Sequence, residues 1–308
     1  MIDYKLVRAL GAVVREGGFE RAARALHLTQ SAVSQRVKLL EEQAGRVLLV
    51  RSSPPQPTEA GRVLLRHLRR VERLEGDLAE SWGAPWGGDD AAGEALGGWD
   101  VLPVAVNADS LATWFLDAAR PLLERRPVLL DVRVADQEET HRLLRGGEVA
   151  GCVSARAEPV QGCAVRPLGC MVYRLVAAPA FCGRWFPEGY TPEAAARAPA
   201  VIFDRNDGMH ERMLRRAFGP EAPAPPAHYV PSSERFVGVV AAGLGHGMVP
   251  DLQCDPLLAR GELLDLGPEF AVEVALHWHC WNIDSRLLAT FGEALLAHAQ
   301  RTLARERQ

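Results

Sequence analysis

Phe19-Glu20-Arg21-Ala22-Ala23-Arg24-Ala25-Leu26-His27-Leu28-Thr29-Gln30-Ser31-Ala32-Val33-Ser34-Gln35-Arg36-Val37-Lys38 decides how the N-terminal part of the chain is read. Ala22 and Ala23 let a short helix over Glu20–Leu26 approach a neighbour closely, and His27-Leu28 leaves room only for a tight connection. Thr29 is a good N-cap for a helix over about 30–44, with Val33, Val37 and Leu40 on its inner face. Ser31, Ser34, Gln35 and Lys38 then share the opposite face, because residues three and four apart are helix neighbours. Upstream, Leu6, Val7, Leu10, Val13 and Val14 predict a helix over 4–16, closed by Gly17-Gly18. Downstream, Val47–Val50 reads as a short strand and Arg51–Pro57 as a proline-set loop. Thr58 caps a long helix over about 58–82, whose Leu64, Leu68, Val71, Leu74 and Leu78 predict a seam for a second copy.

Two helices joined by a tight turn, followed by a strand and a loop, suit a DNA reader. Gln30, Ser31, Ser34 and Gln35, near the start of the second helix, can donate to and accept from base edges. Arg36, Lys38, Arg51 and the arginines of the long helix suit phosphates, with Thr29 and the wing residue Pro55 on the same expected surface. A plain three-helix bundle with a solvated polar face would read similarly. Charge separates the two. The formal net charge is −4, yet residues 1–70 carry 13 Lys+Arg against 6 Asp+Glu, a local net of +7, so a basic module precedes an acidic one.

Residues 83–99 hold six glycines in seventeen positions and read as a hinge. Beyond it, strands and helices alternate. Strands are expected at 101–106, 128–134, 149–153, 164–168, 171–177, 200–203, 228–230, 246–249, 262–266 and 270–280. Helices are expected at 110–124, 137–146, 191–198, 208–218, 232–242 and 285–305. The predicted class is α/β: an N-terminal winged helix–turn–helix (1–58), a linker and dimerisation helix (59–82), a hinge (83–99) and a two-lobed, periplasmic-binding-protein-like effector domain (100–308). Lobe 1 is expected at about 100–160 and 267–308, lobe 2 at about 161–266, with a ligand in the crevice between them.

The stretch 19–38, with Leu40-Glu41, Gly45, Leu48, Arg51 and Thr58-Glu59-Ala60-Gly61, resembles the winged helix–turn–helix of LysR-type transcriptional regulators. At the wing, Leu48-Leu49-Val50-Arg51 replaces the Leu-Phe-x-Arg of most members and resembles the arginine/lysine-responsive ArgP/LysG branch. Asn107–Phe115, Arg145–Val149, Phe203-Asp204, Asp207-x-Met209-His210 and Ser232-Ser233-Glu234-x-Phe236-Val237 are similar to that branch too. The resemblance implies a homodimer or homotetramer on double-stranded operator DNA, with L-lysine or L-arginine as effector and RNA polymerase as a further partner. Amino-acid export or arginine/lysine metabolism genes are the implied targets, under activation or repression.

Such an effector needs donors for its α-carboxylate and carboxylates for its two cations. Asp109 and Ser110 follow the strand 101–106 at a helix N-terminus, where Ser110 and free N–H groups suit the carboxylate and Asp109 an ammonium. Asp204 and Asp207 follow the strand 200–203 in the other lobe, and Thr113, Ser154, His210 and Ser233 complete the candidates. Each has a structural alternative: Asp109 and Ser232 or Ser233 as N-caps, Asp204 and Asp207 as starters of the next helix, His210 as a core-edge residue. Trp114 and Phe115 read as core.

Enzyme readings lack their signatures. Gly243-Leu244-Gly245-His246-Gly247 has neither dinucleotide nor P-loop spacing, and neither a nucleophile elbow nor a metal-spaced histidine set is present. No cofactor or metal is expected, and Cys152, Cys163, Cys170, Cys182, Cys254 and Cys280 form no C-x-x-C pair. No apolar run approaches the ~18–20 residues that span a bilayer, and Met1–Lys5 is no signal peptide, so a cytoplasmic protein without membrane contact is expected. That also sets aside a secreted solute-binding protein. An architectural DNA-binding protein without effector, or a regulator with a different small molecule, stays open.

Overall fold

In the computed structural model, which describes residues 2–82 and 99–304, the first helices begin where capping chemistry puts them. Asp3 accepts from the Lys5 N–H to start α1 (Tyr4–Arg15). After α2 (Phe19–Ala25), Thr29 Oγ1 accepts from Ala32 N at 3.2 Å to start α3 (Gln30–Ala44), which Gly45 ends in the left-handed region. Leu6, Val7, Leu10, Val13, Val33, Val37 and Leu40 close one core with Leu48 and Leu49. Each such side chain contributes about 1.5–3 kcal/mol by leaving water. β1 (Leu49–Val50) pairs antiparallel with β2 (Gln56–Pro57), so the expected loop ends in a return strand and 51–55 form the tip of a wing. Thr58 donates its hydroxyl to Val47 O (2.8 Å) and accepts from Gly61 N (3.1 Å), tying the wing to α4 (Glu59–Trp82). Gly61 is required there: a Cβ would lie 2.1 Å from the Leu48 carbonyl oxygen.

α4 has three faces rather than one stripe. Leu64, Leu65 and Leu68 join the core of the N-terminal module, with Leu68 only 4% exposed, and Tyr4–His67 (2.9 Å) and Arg8–Glu75 (3.1 Å) extend that contact along α1. Arg66, Arg69, Arg70 and Arg73 turn towards the C-terminal domain. Val63, Leu74 (41% exposed) and Leu78 (39%) form the third face, flanked by half-buried Val71. The predicted seam therefore loses Leu64 and Leu68, which α1 reaches first within the same chain. The expected hinge, residues 83–99, lies outside the described residues except for Trp99.

Beyond it, β3 (Asp100–Val106), β4 (Val128–Val134) and β5 (Gly151–Ser154) run parallel, separated by α5 (Ala108–Thr113), α6 (Phe115–Leu123) and α7 (Gln137–Arg145). β6 (Cys163–Ala177) leads to α8 (Pro179–Trp185), α9 (Pro192–Arg197), β7 (Ala200–Ile202), α10 (Met209–Phe218), β8 (Ala227–Tyr229), α11 (Ser233–Ala241), β9 (His246–Pro250) and α12 (Asp251–Ala259). β10 (Leu264–Asp265), β11 (Val272–Trp281) and α13 (Arg286–Thr302) complete the domain. The sheet order is β4-β3-β5-β11-β6-β9-β7-β8, with β10 on β6. The strands expected at 164–168 and 171–177 are one 15-residue strand. Its first half pairs with the end of β11 beside β5, its second half with β9 and β10, so β6 and β11 each run through both lobes. The helix expected at 110–124 begins at Ala108 and breaks at Trp114, and Pro121 stays inside α6. α8 and α12 were not expected, and α12 has an internal Pro256 and no apolar stripe to announce it. Trp114 and Phe115 are core: Phe115 meets Phe291 of α13 edge-on at 6.1 Å, and Trp278 meets it at 5.5 Å. All six cysteines are unpaired. Among the described residues, no cluster could hold a metal and no helix is long and apolar enough to cross a membrane.

Candidate nucleic-acid interface and interlobe cleft

Gln30, Ser31, Gln35 and Lys38 stand exposed on α3, with Ser34 and Arg36 half-buried beside them. Lys38 lies 3.7 Å from Glu42 one turn on, an exposed pair that a phosphate can replace. Thr29 spends its hydroxyl on the α3 cap. Glu41, on the inner side of α3, accepts from Leu48 N (2.8 Å) and Leu49 N (3.2 Å), which sets the wing against the recognition helix. Arg51 is exposed above the Phe19 ring at 5.9 Å. Two expectations change. Pro55 is buried under the wing and presents no contact surface. The arginines of α4 between 66 and 73 are engaged by the C-terminal domain and are not part of the phosphate surface.

In the cleft, Asp109 sits in the first turn of α5 without capping it, since Asn107 occupies the N-cap position. Its carboxylate joins the lobes: Oδ2 accepts from the Tyr173 hydroxyl (2.7 Å), and Oδ1 from Ser233 Oγ of α11 (2.6 Å). Gln253 of α12 donates to the same Ser233 Oγ at 3.1 Å. Ser232 caps α11, which frees Ser233 for this bond. Burial raises the Tyr173 hydroxyl pKa well above its ordinary value, reinforced first by Asp109 and then by Asp207 and Asp251. Burial also pushes the half-buried Asp251 carboxyl up. Asp109 thus bonds this buried phenol while Asp207 and Asp251 act on it through their charge. Among the described residues none of the three forms an ion pair with Lys or Arg, and the charge of Arg174 reaches Asp251 from further off. Beside them, the Ser110 hydroxyl and Asn107 Oδ1 are buried without hydrogen-bond partners, an arrangement that calls for a polar guest.

The remaining candidates divide. Asp207 reaches the carboxylate group while its oxygens also accept from Met209 N (2.9 Å) and Phe203 N (3.5 Å). Asp204 holds the turn, accepting from Asn206 N (2.7 Å) and Asp207 N (3.1 Å), so it acts as the helix-starter alternative. Thr113 donates back to the Asp109 carbonyl (2.6 Å), and buried Ser154 accepts from Arg156 N (3.3 Å). His210 is sealed from solvent against His246 (5.1 Å between rings), and burial alone lowers its pKa to about 4. It is a neutral core residue and leaves the candidate list. Tyr173, Asp251 and Gln253 were missed. Tyr173 alternates in burial like any strand residue, and the other two lie on the unannounced α12.

Residues 4–62 match the family described as "Bacterial regulatory helix-turn-helix protein, lysR family", and residues 100–300 the "LysR substrate binding domain". The chain is 48% identical over 99% of its length to the HTH-type transcriptional regulator ArgP of Pseudomonas aeruginosa (strain UCBPP-PA14), covering 98% of that relative. Among solved structures, ArgP from Mycobacterium tuberculosis superposes with a TM-score of 0.87 at 39% identity, with all of both chains covered. Full-length LysG from Corynebacterium glutamicum with bound effector Arg gives a TM-score of 0.78 at 32% identity, covering 98% of this chain and 100% of that one.

Proposed function

The chain belongs to the LysR family of bacterial helix–turn–helix transcriptional regulators, in its ArgP/LysG branch, and we propose that a cationic amino acid, L-arginine or L-lysine, is its effector. The observation that carries this reading is the interlobe cleft, where the Asp109 carboxylate bridges Tyr173 of β6 and Ser233 of α11 without an ion-pair partner, and the charges of Asp207 and Asp251 add to it. A ligand with two positive centres satisfies that charge. Asp109 takes one ammonium in place of the Ser233 hydroxyl, and Asp207 and Asp251 face the other cation. Ser110 Oγ donates to the α-carboxylate, and the unpaired Asn107 Oδ1 accepts from an ammonium. Charge-assisted hydrogen bonds of this kind contribute about 1.5–3 kcal/mol each, so two or three suffice for selectivity over a neutral amino acid. Because Asp109 and Ser233 belong to opposite lobes, replacing their bond alters how the lobes close.

On the DNA side, Gln30, Ser31, Ser34 and Gln35 suit base edges in the major groove, and Arg36, Lys38 and Arg51 suit the flanking phosphates. Val63, Leu74 and Leu78 of α4 are the apolar face offered to a second copy, giving a homodimer or, with a second interface, a homotetramer. A bound dimer positioned beside a promoter is also the form that would touch RNA polymerase in the cytoplasm. Calorimetric titration of the full chain with L-arginine, L-lysine, L-leucine and L-glutamate tests the effector. Binding of only the two cationic ligands, with a changed operator mobility shift, is expected; equal binding of L-leucine would overturn the reading.

A further inference from the structure

The faces of α4 set the position of the DNA reader. On one face Leu64, Leu65 and Leu68 are sunk in the N-terminal core, so the helix moves with the reader. On the second, four arginines at positions 66, 69, 70 and 73 form a strip along two turns. Arg66 Nη1 donates to the Arg145 carbonyl (2.5 Å), and Arg69 Nη1 to the Gly147 carbonyl. Arg70 Nη2 donates to the Gly162 carbonyl (3.1 Å) while its guanidinium lies over the Trp281 ring at 5.7 Å. Arg73 reaches Asp100 at 3.2 Å, with its side chain only 9% exposed. Asp100 starts β3, Arg145 ends α7 with Gly146-Gly147 in the turn after it, Gly162 precedes β6 and Trp281 ends β11. All four grips fall on lobe 1, which here takes in Gly162 and the first half of β6, paired with the end of β11 beside β5, rather than ending at about 160. They lie at the end of its strands remote from Asp109, which follows the opposite end of β3.

The fit is shaped as well as charged. Gly147 has φ +68 and faces the Arg66 backbone so closely that a Cβ would lie 2.5 Å from Arg66 Cβ. Main-chain carbonyls at a helix end carry partial negative charge, and the last residue of α7, Arg145, presents its carbonyl to Arg66 while Gly147 in the turn beyond presents its own to Arg69. Planar, multidentate arginines hold an orientation that point-charge lysines would not.

We propose that this arginine strip clamps the DNA reader to lobe 1 as one body, so that cleft closure is a movement of lobe 2 against both, and operator binding responds to effector only while the clamp is intact. The second half of this statement rests on the cationic effector proposed above; the clamp itself does not. The strip is an internal interface and thus not a phosphate contact.

The test uses the full-length chain as wild type, as Arg66→Ala/Arg69→Ala/Arg70→Ala, and as Gly147→Val, which spoils the same interface from lobe 1 without touching α4. Hydrogen–deuterium exchange reads the clamp: both variants should exchange faster over residues 143–149 and 62–73, with the α1–α3 core unchanged. Mobility shift with and without L-arginine reads the coupling. Allosteric coupling commonly amounts to roughly 5- to 150-fold in affinity; in both variants the ratio should collapse to within about twofold while calorimetric L-arginine affinity is retained. Unchanged exchange, or a retained operator response, overturns the proposal. If wild type ignores both L-arginine and L-lysine, the effector reading fails, and the exchange arm alone decides the clamp: faster exchange supports it, unchanged exchange refutes it.

Discussion

His210→Met should make the C-terminal domain resistant to mild acid. In the wild type, burial lowers the His210 pKa to about 4, and burial together with the His210 neighbour lowers that of His246 to about 3, both from 6.5. Neither ring is protonated in the fold at neutral pH. A group whose pKa is depressed on folding leaves the unfolded chain the better proton acceptor, so stability is lost as pH falls below 6.5 and the loss levels off near the folded value. At 1.36 kcal/mol per unit, the His210 shift removes about 2 kcal/mol between pH 7.5 and pH 5, and about 3 kcal/mol by pH 4. His210 has no hydrogen-bond partner at either ring nitrogen among the described residues, so methionine of similar volume removes a desolvated polar group without breaking a bond. Differential scanning calorimetry from pH 7.5 to 5 is the assay. With about 2–4 °C per kcal/mol for a domain of this size, the variant's Tm should fall by about 4–8 °C less than that of wild type across the range. Parallel decline of the two proteins would refute the argument, because it would mean that His210 meets solvent or a partner in the fold. L-Arginine affinity should be unaffected, since the ring lies outside the cleft.

Asp109→Asn should weaken L-arginine binding by roughly 10- to 100-fold in calorimetry, the loss of one charged hydrogen bond, while random-DNA affinity stays as it is; unchanged ligand affinity removes Asp109 from the site. Gln35→Ala should reduce discrimination between operator and random DNA by about 1–3 kcal/mol in competition mobility shifts, and equal loss on both DNAs would deny it a reading role. Gly61→Ala drives a Cβ to 2.1 Å from the Leu48 carbonyl, so overpacking of about 1–3 kcal/mol should lower the Tm of the N-terminal transition, and a wild-type melt would contradict the contact. Leu68→Ala should destabilise that module by about 2–5 kcal/mol, whereas Leu74→Ala should leave it within about 0.5 kcal/mol and instead shift sedimentation towards smaller species; the reverse pattern would reassign the faces of α4.

Much of the fold is legible because its signals are local. The turn at His27–Thr29, the threonine caps at Thr29 and Thr58 and the 3.6-residue spacing of Val33, Val37 and Leu40 each operate within one or two turns of chain. The same is true of β3, β4 and α7, which match their expected spans to within a residue or two. Errors gather where neighbours in space overrule the local pattern. The local pattern predicts separate strands at 164–168 and 171–177, yet pairing with β11 along one edge and with β9 on the other carries β6 through as one. Pro55 looked like an exposed wing tip until the pairing of Gln56–Pro57 folded it under. His210 was polar by type and core by position.

What the sequence by itself determined is a basic reader with a polar recognition face and an acidic two-lobed domain, with Asp109 and Ser233 no more than candidates for its cleft. Those follow from residue type, period and capping. Tertiary structure alone decided which side of α4 each residue serves, because three apolar or basic stripes on one helix are equivalent until α1 and lobe 1 claim theirs. It also decided the membership of the cleft. The Tyr173–Asp109 bond spans 64 residues and the Ser233–Asp109 bond 124, separations over which neither period nor capping carries information. Contacts of that range exist only once β6 and β11 have brought the two lobes together.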